Sequence, residues 1–132
     1  MPDTQPVRRF LITGGSQGIG AALVEQATQA GHQVVFTGRD EQRIRSVAEK
    51  TGATGIAADV ASSEDNARTV DICLDRMSGI DVLVNNAGYA YRAEIGSVDL
   101  TAMRQMFDVN VFGLVDLTNR IVPAMKERRE GD

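Results

Sequence analysis

A doubly wound α/β fold on a parallel sheet is predicted for this chain of 132 residues. Two features predict it. Short apolar runs alternate with longer amphipathic stretches, and the runs lack the strict alternation of a half-exposed strand. A glycine-rich turn also follows the first run, at the passage from strand to helix. Repeated βα units require right-handed crossovers and place helices on both faces of the sheet.

The elements follow in order. Phe10-Leu11-Ile12, Val34-Val35-Phe36, Ile56-Ala57-Ala58 and Ile80 to Val84 are the strand candidates. Ile19 to Ala30 reads as the first helix, stopped at Gly31, and Asp40 to Lys50 as the second. Ser62 to Met77 is the third, with Ala67, Val70, Leu74 and Met77 as its apolar face and Ser62 and Asp65 able to cap its start. The last stretch runs from about Leu100 to Arg129, as one helix or with a break, and lines up Met103, Phe107, Asn110, Leu114, Leu117 and Ile121. Pro123 removes one bond from its ladder and is expected to bend it.

Composition narrows the function classes. The chain is 42% hydrophobic and 24% charged, which fits one globular domain and excludes a disordered or fibrous chain. A net charge of −4 disfavours a nucleic-acid partner. The single cysteine cannot form an intrachain disulfide or a Cys-rich zinc site, and no metal site is expected. No apolar run is long enough to span a membrane, and Met1 to Pro6 lacks the pattern of a signal peptide. The expected setting is cytoplasmic.

The first strand leads into Thr13-Gly14-Gly15-Ser16-Gln17-Gly18-Ile19-Gly20. Gly14, Gly18 and Gly20 permit a tight turn and a close approach of phosphate to backbone N–H groups, and the helix dipole favours the anion. By analogy with the known fingerprint, the turn reads as a dinucleotide site.

This segment resembles the glycine motif TGxxxGIG of the short-chain dehydrogenase/reductase family. Asp59-Val60 after the third strand, Asn85-Asn86-Ala87-Gly88 after the fourth, and Asn110 within Asp108-Val109-Asn110-Val111 agree with the family's further motifs in order and spacing. The resemblance implies a Rossmann-like sheet of order 3-2-1-4 and hydride transfer between a nicotinamide and a carbonyl or alcohol. It implies that Gly14, Ser16, Gln17, Gly18, Ile19 and Gly20 border the cofactor, that Asp59 meets the adenine amino group beside Val60, and that Asn86, Ala87 and Gly88 line the cleft. Asn110 is implied as one member of the catalytic tetrad. The family's serine and YxxxK motif come later. Here the only tyrosines, Tyr89 and Tyr91, are followed four residues on by Ala93 and Ile95, and the only lysines are Lys50 and Lys126. The chain therefore reads as the N-terminal half of a member, ending before a fifth strand and inactive alone. A non-catalytic nucleotide-binding or self-associating module is the other reading.

Arg39, at the end of the second strand, suits the 2′-phosphate of NADP, so NADP is expected over NAD. Asp40 reads as a helix cap instead of a ribose acid. Thr13, Ser16 and Gln17 on their own would be solvated turn residues. His32 reads as a surface loop residue, Cys73 as a buried inert thiol, Glu127 to Glu130 as a solvated helix end, and Tyr89 and Tyr91 as rim packing. Val111, Val115, Val122 and Met125 extend apolar surface around the last helix, so a homo-oligomer through Asn110–Met125 is expected. Association through an open edge at Ile80 to Val84 is the runner-up.

Overall fold

The computed structural model describes residues 5–132, so the reading of Met1 to Thr4 lies outside the described residues. Its strands are β1 (Arg9–Ile12), β2 (Gln33–Gly38), β3 (Thr54–Ala57) and β4 (Val82–Val84), all parallel and ordered β3-β2-β1-β4 as predicted. The helices are α1 (Gly18–Gln29), α2 (Glu41–Thr51), α3 (Ser63–Met77), α4 (Leu100–Phe107) and α5 (Leu114–Arg128). A π-helical turn, Asp108–Gly113, joins α4 to α5.

Adjacent residues of a strand point to opposite faces, which divides the core in two. Leu11, Val35 and Ile56 pack with Cys73, Met77, Leu117 and Ile121 on one side. Ile12, Val34 and Phe36 pack with Val24 and Ile44 on the other. Asp40 and Ser62 cap α2 and α3 through their side chains, as their positions before the apolar periodicity predict.

Several expectations need correction. The fourth strand begins at Val82, because Ile80 and Asp81 are drawn into other contacts: Ile80 packs in the core and Asp81 binds Arg9. The inward face of α3 is Asn66, Thr69, Cys73 and Met77, whereas Leu74 is 49% exposed. Apolar periodicity does not reveal this face, because two of its members are polar. The long helix is interrupted at the π turn, and α5 runs on past Pro123, which lies on the solvent side. A π turn holds an extra residue and shifts the helical phase. Val109, Gly113, Leu117, Ile121 and Met125 consequently face the core, while Phe107 points outward. His32 is half-buried: its Nδ1 accepts from the Arg8 N–H at 3.1 Å and its ring lies 5.1 Å from that of Phe10.

The edge of β4 is partly occupied. Leu83 N donates to the Asp132 carbonyl at 2.9 Å and Asp132 N donates to the Asp81 carbonyl at 3.0 Å, the pattern of a parallel bridge. At the same end Asp81 accepts from Arg9 Nε at 2.9 Å, Nη2 at 2.8 Å and the Arg9 backbone N–H at 2.9 Å. Those bonds, the side-chain ones foremost, pull its pKa down to about 2. In the unfolded chain the carboxyl regains its ordinary value and takes up a proton first. The contact therefore stabilises the fold above the ordinary carboxylate range and is lost as pH falls toward about 2, with a contribution on the order of 2 kcal/mol. Asp81→Asn is expected to lower the unfolding free energy at about pH 7 by roughly that amount and to flatten the acid limb below about pH 4. Urea unfolding across pH checks this; an unchanged acid limb would contradict it.

Candidate functional site

A cleft of about 360 Å³ opens at the C-terminal ends of the strands, near the point where the order reverses between β1 and β4. Its floor is the turn after β1. Gly14 and Gly18 adopt left-handed φ values of 65° and 55°, which close the turn without a side-chain clash. Gly20 sits under it: a Cβ there would lie 2.0 Å from the Gly14 carbonyl oxygen and 2.6 Å from Asn86 Nδ2.

The N-terminus of α1 differs from its counterparts. Asp40, Ser62 and Asp99 cap α2, α3 and α4 through their side chains. Gln17 makes no such bond at the start of α1, and the first turn holds no acid. The helix thus presents uncapped N–H groups and its positive dipole end toward the cleft.

Thr13 is buried and is no decoration of a solvated turn. Its Oγ1 accepts from the N–H groups of Asn86 and Ala87, each at 3.0 Å. Asn86 Nδ2 donates in return to the carbonyls of Thr13 and Gly14, each at 3.1 Å. The amide of Asn86 therefore braces the glycine turn from below. Asn85 turns the other way and donates to Thr118 Oγ1 at 3.1 Å, tying β4 to α5.

The structure brings Gly14, Ser16, Gln17, Ile19, Arg39, Asp59, Val60, Asn86, Ala87 and Gly88 to one cleft. Gly18 and Gly20 shape its floor without lining it, and Thr37, Gly38, Asp40, Arg43, Ala58, Tyr89 and Val109 complete the lining. Arg39 is exposed at the rim. Asp40 Oδ1 accepts from Gln42 N at 2.9 Å and from Arg43 N at 3.1 Å, committing it to the α2 cap. Arg43 reaches across the cleft mouth to the side-chain oxygen of Gln17. That bond joins residues 26 apart in the chain, and no local motif signals it.

Asn110 stands in the π turn beside the cleft. Its Oδ1 accepts from Tyr89 N at 3.0 Å and its Nδ2 donates to the Tyr89 carbonyl at 2.8 Å. The side chain is thus committed to the backbone of the loop after β4. Gly88 leaves room for it, since a Cβ at Gly88 would lie 3.0 Å from Asn110 Oδ1. Tyr91 is engaged elsewhere, its hydroxyl accepting from Asp99 N at 3.0 Å.

Among known proteins, the family model described as short chain dehydrogenase matches residues 8–132. An uncharacterized oxidoreductase of Staphylococcus saprophyticus is 34% identical over 127 residues, covering 92% of this chain and 54% of that protein. The crystal structure of a short-chain dehydrogenase from Streptomyces avermitilis superposes with a TM-score of 0.89 at 32% identity, over 96% of this chain and 47% of that one. A 3-ketoacyl-(acyl-carrier-protein) reductase from Brucella melitensis, solved with NADH, superposes at 0.88 with 30% identity, over 92% and 51% of the two chains. The chain spans about half the length of the curated relatives it matches. A family match that runs from the strand before the glycine turn through the π turn and the last helix matches the fold and the cleft alike, and the chain belongs to the short-chain dehydrogenase family.

Proposed function

We propose that this chain is the nucleotide-binding part of an oxidoreductase that moves hydride between a nicotinamide dinucleotide and a carbonyl or alcohol, with NADP preferred over NAD. The uncapped N-terminus of α1, opening into a cleft lined by Arg39 and Asp59, carries this reading. A dinucleotide, when bound, supplies the hydride chemistry. The chain's own residues supply position. The backbone from Gly14 to Gly20 holds the pyrophosphate, Arg39 the 2′-phosphate, and Asp59 with Val60 the adenine. Asn86, Ala87 and Gly88 form the wall. Asn110 keeps the loop after β4 in place and is the tetrad member this chain contributes. Cys73 is buried, and desolvation pushes its thiol up to about 12, which leaves it protonated and inert; the setting we propose is cytoplasmic. No helix among the described residues is long and apolar enough to cross a membrane.

Titration with NADPH tests the reading. Gly20→Ala is expected to weaken binding by about 100-fold or more, since the added carbon must part the turn from the helix and remove the aligned N–H groups. Affinity unchanged by that substitution would place the nucleotide elsewhere.

The same reading includes a homo-oligomer through the Asn110–Met125 helix. Its outward side carries Val111, Phe112 and Val115, which are 42%, 65% and 47% exposed, while Leu117, Ile121 and Met125 face the core. Sedimentation at micromolar concentration is expected to show a dimer or larger species, and Val115→Glu to weaken it by at least about tenfold through an unpaired charge at the contact. A monomer across that range would end this part of the proposal. A dimer indifferent to the substitution would move the contact to the edge of β4.

A further inference from the structure

We infer that Asp65 and Asn66, in the first turn of α3, are positioning residues for adenine recognition because they hold the Asp59–Val60 dipeptide from both ends. The inference rests on the adenine reading of Asp59 given above. Asp65 Oδ2 accepts from Asp59 N at 2.8 Å, and Asn66 Nδ2 donates to the Val60 carbonyl at 2.9 Å. Between these anchors Asp59 Oδ1 accepts from Ala61 N at 2.9 Å, which sets the rotamer of the side chain. Oδ2 of Asp59 takes no hydrogen bond among the described residues and remains for a donor in the cleft.

Asn66 is 2% exposed, on the inward face of α3. A buried amide is costly unless hydrogen-bonded, so the site would be better filled by an apolar residue if packing were its only role. Its Nδ2 also donates to Asp116 Oδ2 at 2.8 Å and approaches the Gly113 carbonyl at 3.5 Å. Gly113 rests on the same Val60 carbonyl: a Cβ there would lie 2.2 Å from that oxygen. One buried side chain therefore ties the adenine-side dipeptide to the π turn that carries Asn110. The Val60 side chain is also buried in the core and Ser62 N donates to the Asp59 carbonyl at 2.9 Å, so the dipeptide between edge strand and helix is fixed on its backbone as well. A carboxylate aimed at a single amino group loses its bond steeply with angle, so the two anchors govern discrimination more than bulk affinity.

The test compares NADPH with its deamino analogue, in which a carbonyl oxygen replaces the adenine amino group, as ligands of the intact protein. The starting protein is expected to bind NADPH at least about tenfold more tightly, the effect of a charged acceptor meeting a donor instead of another acceptor. Asn66→Leu and Asp65→Ala are each expected to bring that ratio to within about twofold of unity. Asp65 is half-exposed, so its variant keeps the test open if Asn66→Leu does not fold. Equal losses for both ligands, with the ratio retained, would make the two residues merely structural and overturn the proposal. A starting protein that does not distinguish the ligands would overturn the adenine reading of Asp59 and the proposal with it. The NADP-to-NAD ratio, which reads Arg39 separately, would show whether the cleft still binds the cofactor.

Discussion

Purified as these 132 residues, the chain is expected to oxidise NADPH with a carbonyl substrate, or to reduce NADP with an alcohol, at no measurable rate. The physical reason is the missing proton donor. Hydride transfer to a carbonyl needs an acid at the oxygen, and the family resemblance assigns that role to a tyrosine with a lysine four residues on. Tyr89 and Tyr91 have alanine and isoleucine there, and the Tyr91 hydroxyl is held by the Asp99 N–H. Asn110 is spent on the Tyr89 backbone and offers no side-chain proton path. General acid catalysis alone is worth about 10²- to 10⁴-fold, and groups that act as a unit are lost together. The absorbance of reduced nicotinamide over hours checks this. Turnover near 10 per second, roughly that of a typical intact enzyme, would contradict it and point to an acid among the residues described above.

Arg39→Ala is expected to remove most of the preference for NADP, a change of roughly 10- to 150-fold in Kd, while leaving NAD affinity unchanged. The estimate is that of a charge-assisted contact between a guanidinium and a phosphate at a solvated rim. The geometry favours Arg39 over an acidic rival. Asp40 lies at the spacing where a ribose-binding acid is found, yet its Oδ1 takes the N–H groups of Gln42 and Arg43 to start α2. An acid so engaged at a helix start is stabilised there by the dipole, and although Asp40 lines the cleft its Oδ1 is taken by the cap. Binding titrations with both cofactors decide the matter. Equal affinity of the unaltered protein for NAD and NADP would count directly against the role of Arg39.

The parts of the fold that are legible in the residues are those set by short-range rules. The glycine turn is one. Gly14, Gly18 and Gly20 permit left-handed backbone and close approach wherever a strand runs into a helix, and the neighbours decide little. The caps at Asp40 and Ser62 are local in the same sense, each bonding N–H groups two or three residues away. The order β3-β2-β1-β4 follows from βα repetition together with the family resemblance, since right-handed crossovers leave few alternatives.

Long-range contacts decided the rest. Nothing in α3 announces that Asn66 points inward, because hydropathy counts an amide as solvent-facing, and only the Val60 carbonyl and Asp116, 50 residues on, make its burial tolerable. The π turn is equally silent in the sequence. Its extra residue is held where Asn110 bonds the backbone of Tyr89, 21 residues earlier, and where Gly113 meets the Val60 carbonyl. That one residue rotates Val109 and Leu117 into the core and turns Phe107 out. Arg9 and Asp81 likewise meet across 72 residues because β1 and β4 are neighbours in the sheet. Local sequence determines which backbone conformations are cheap. Only the packed sheet and helices determine which polar groups find partners when water is removed, and those partners hold the cleft in shape.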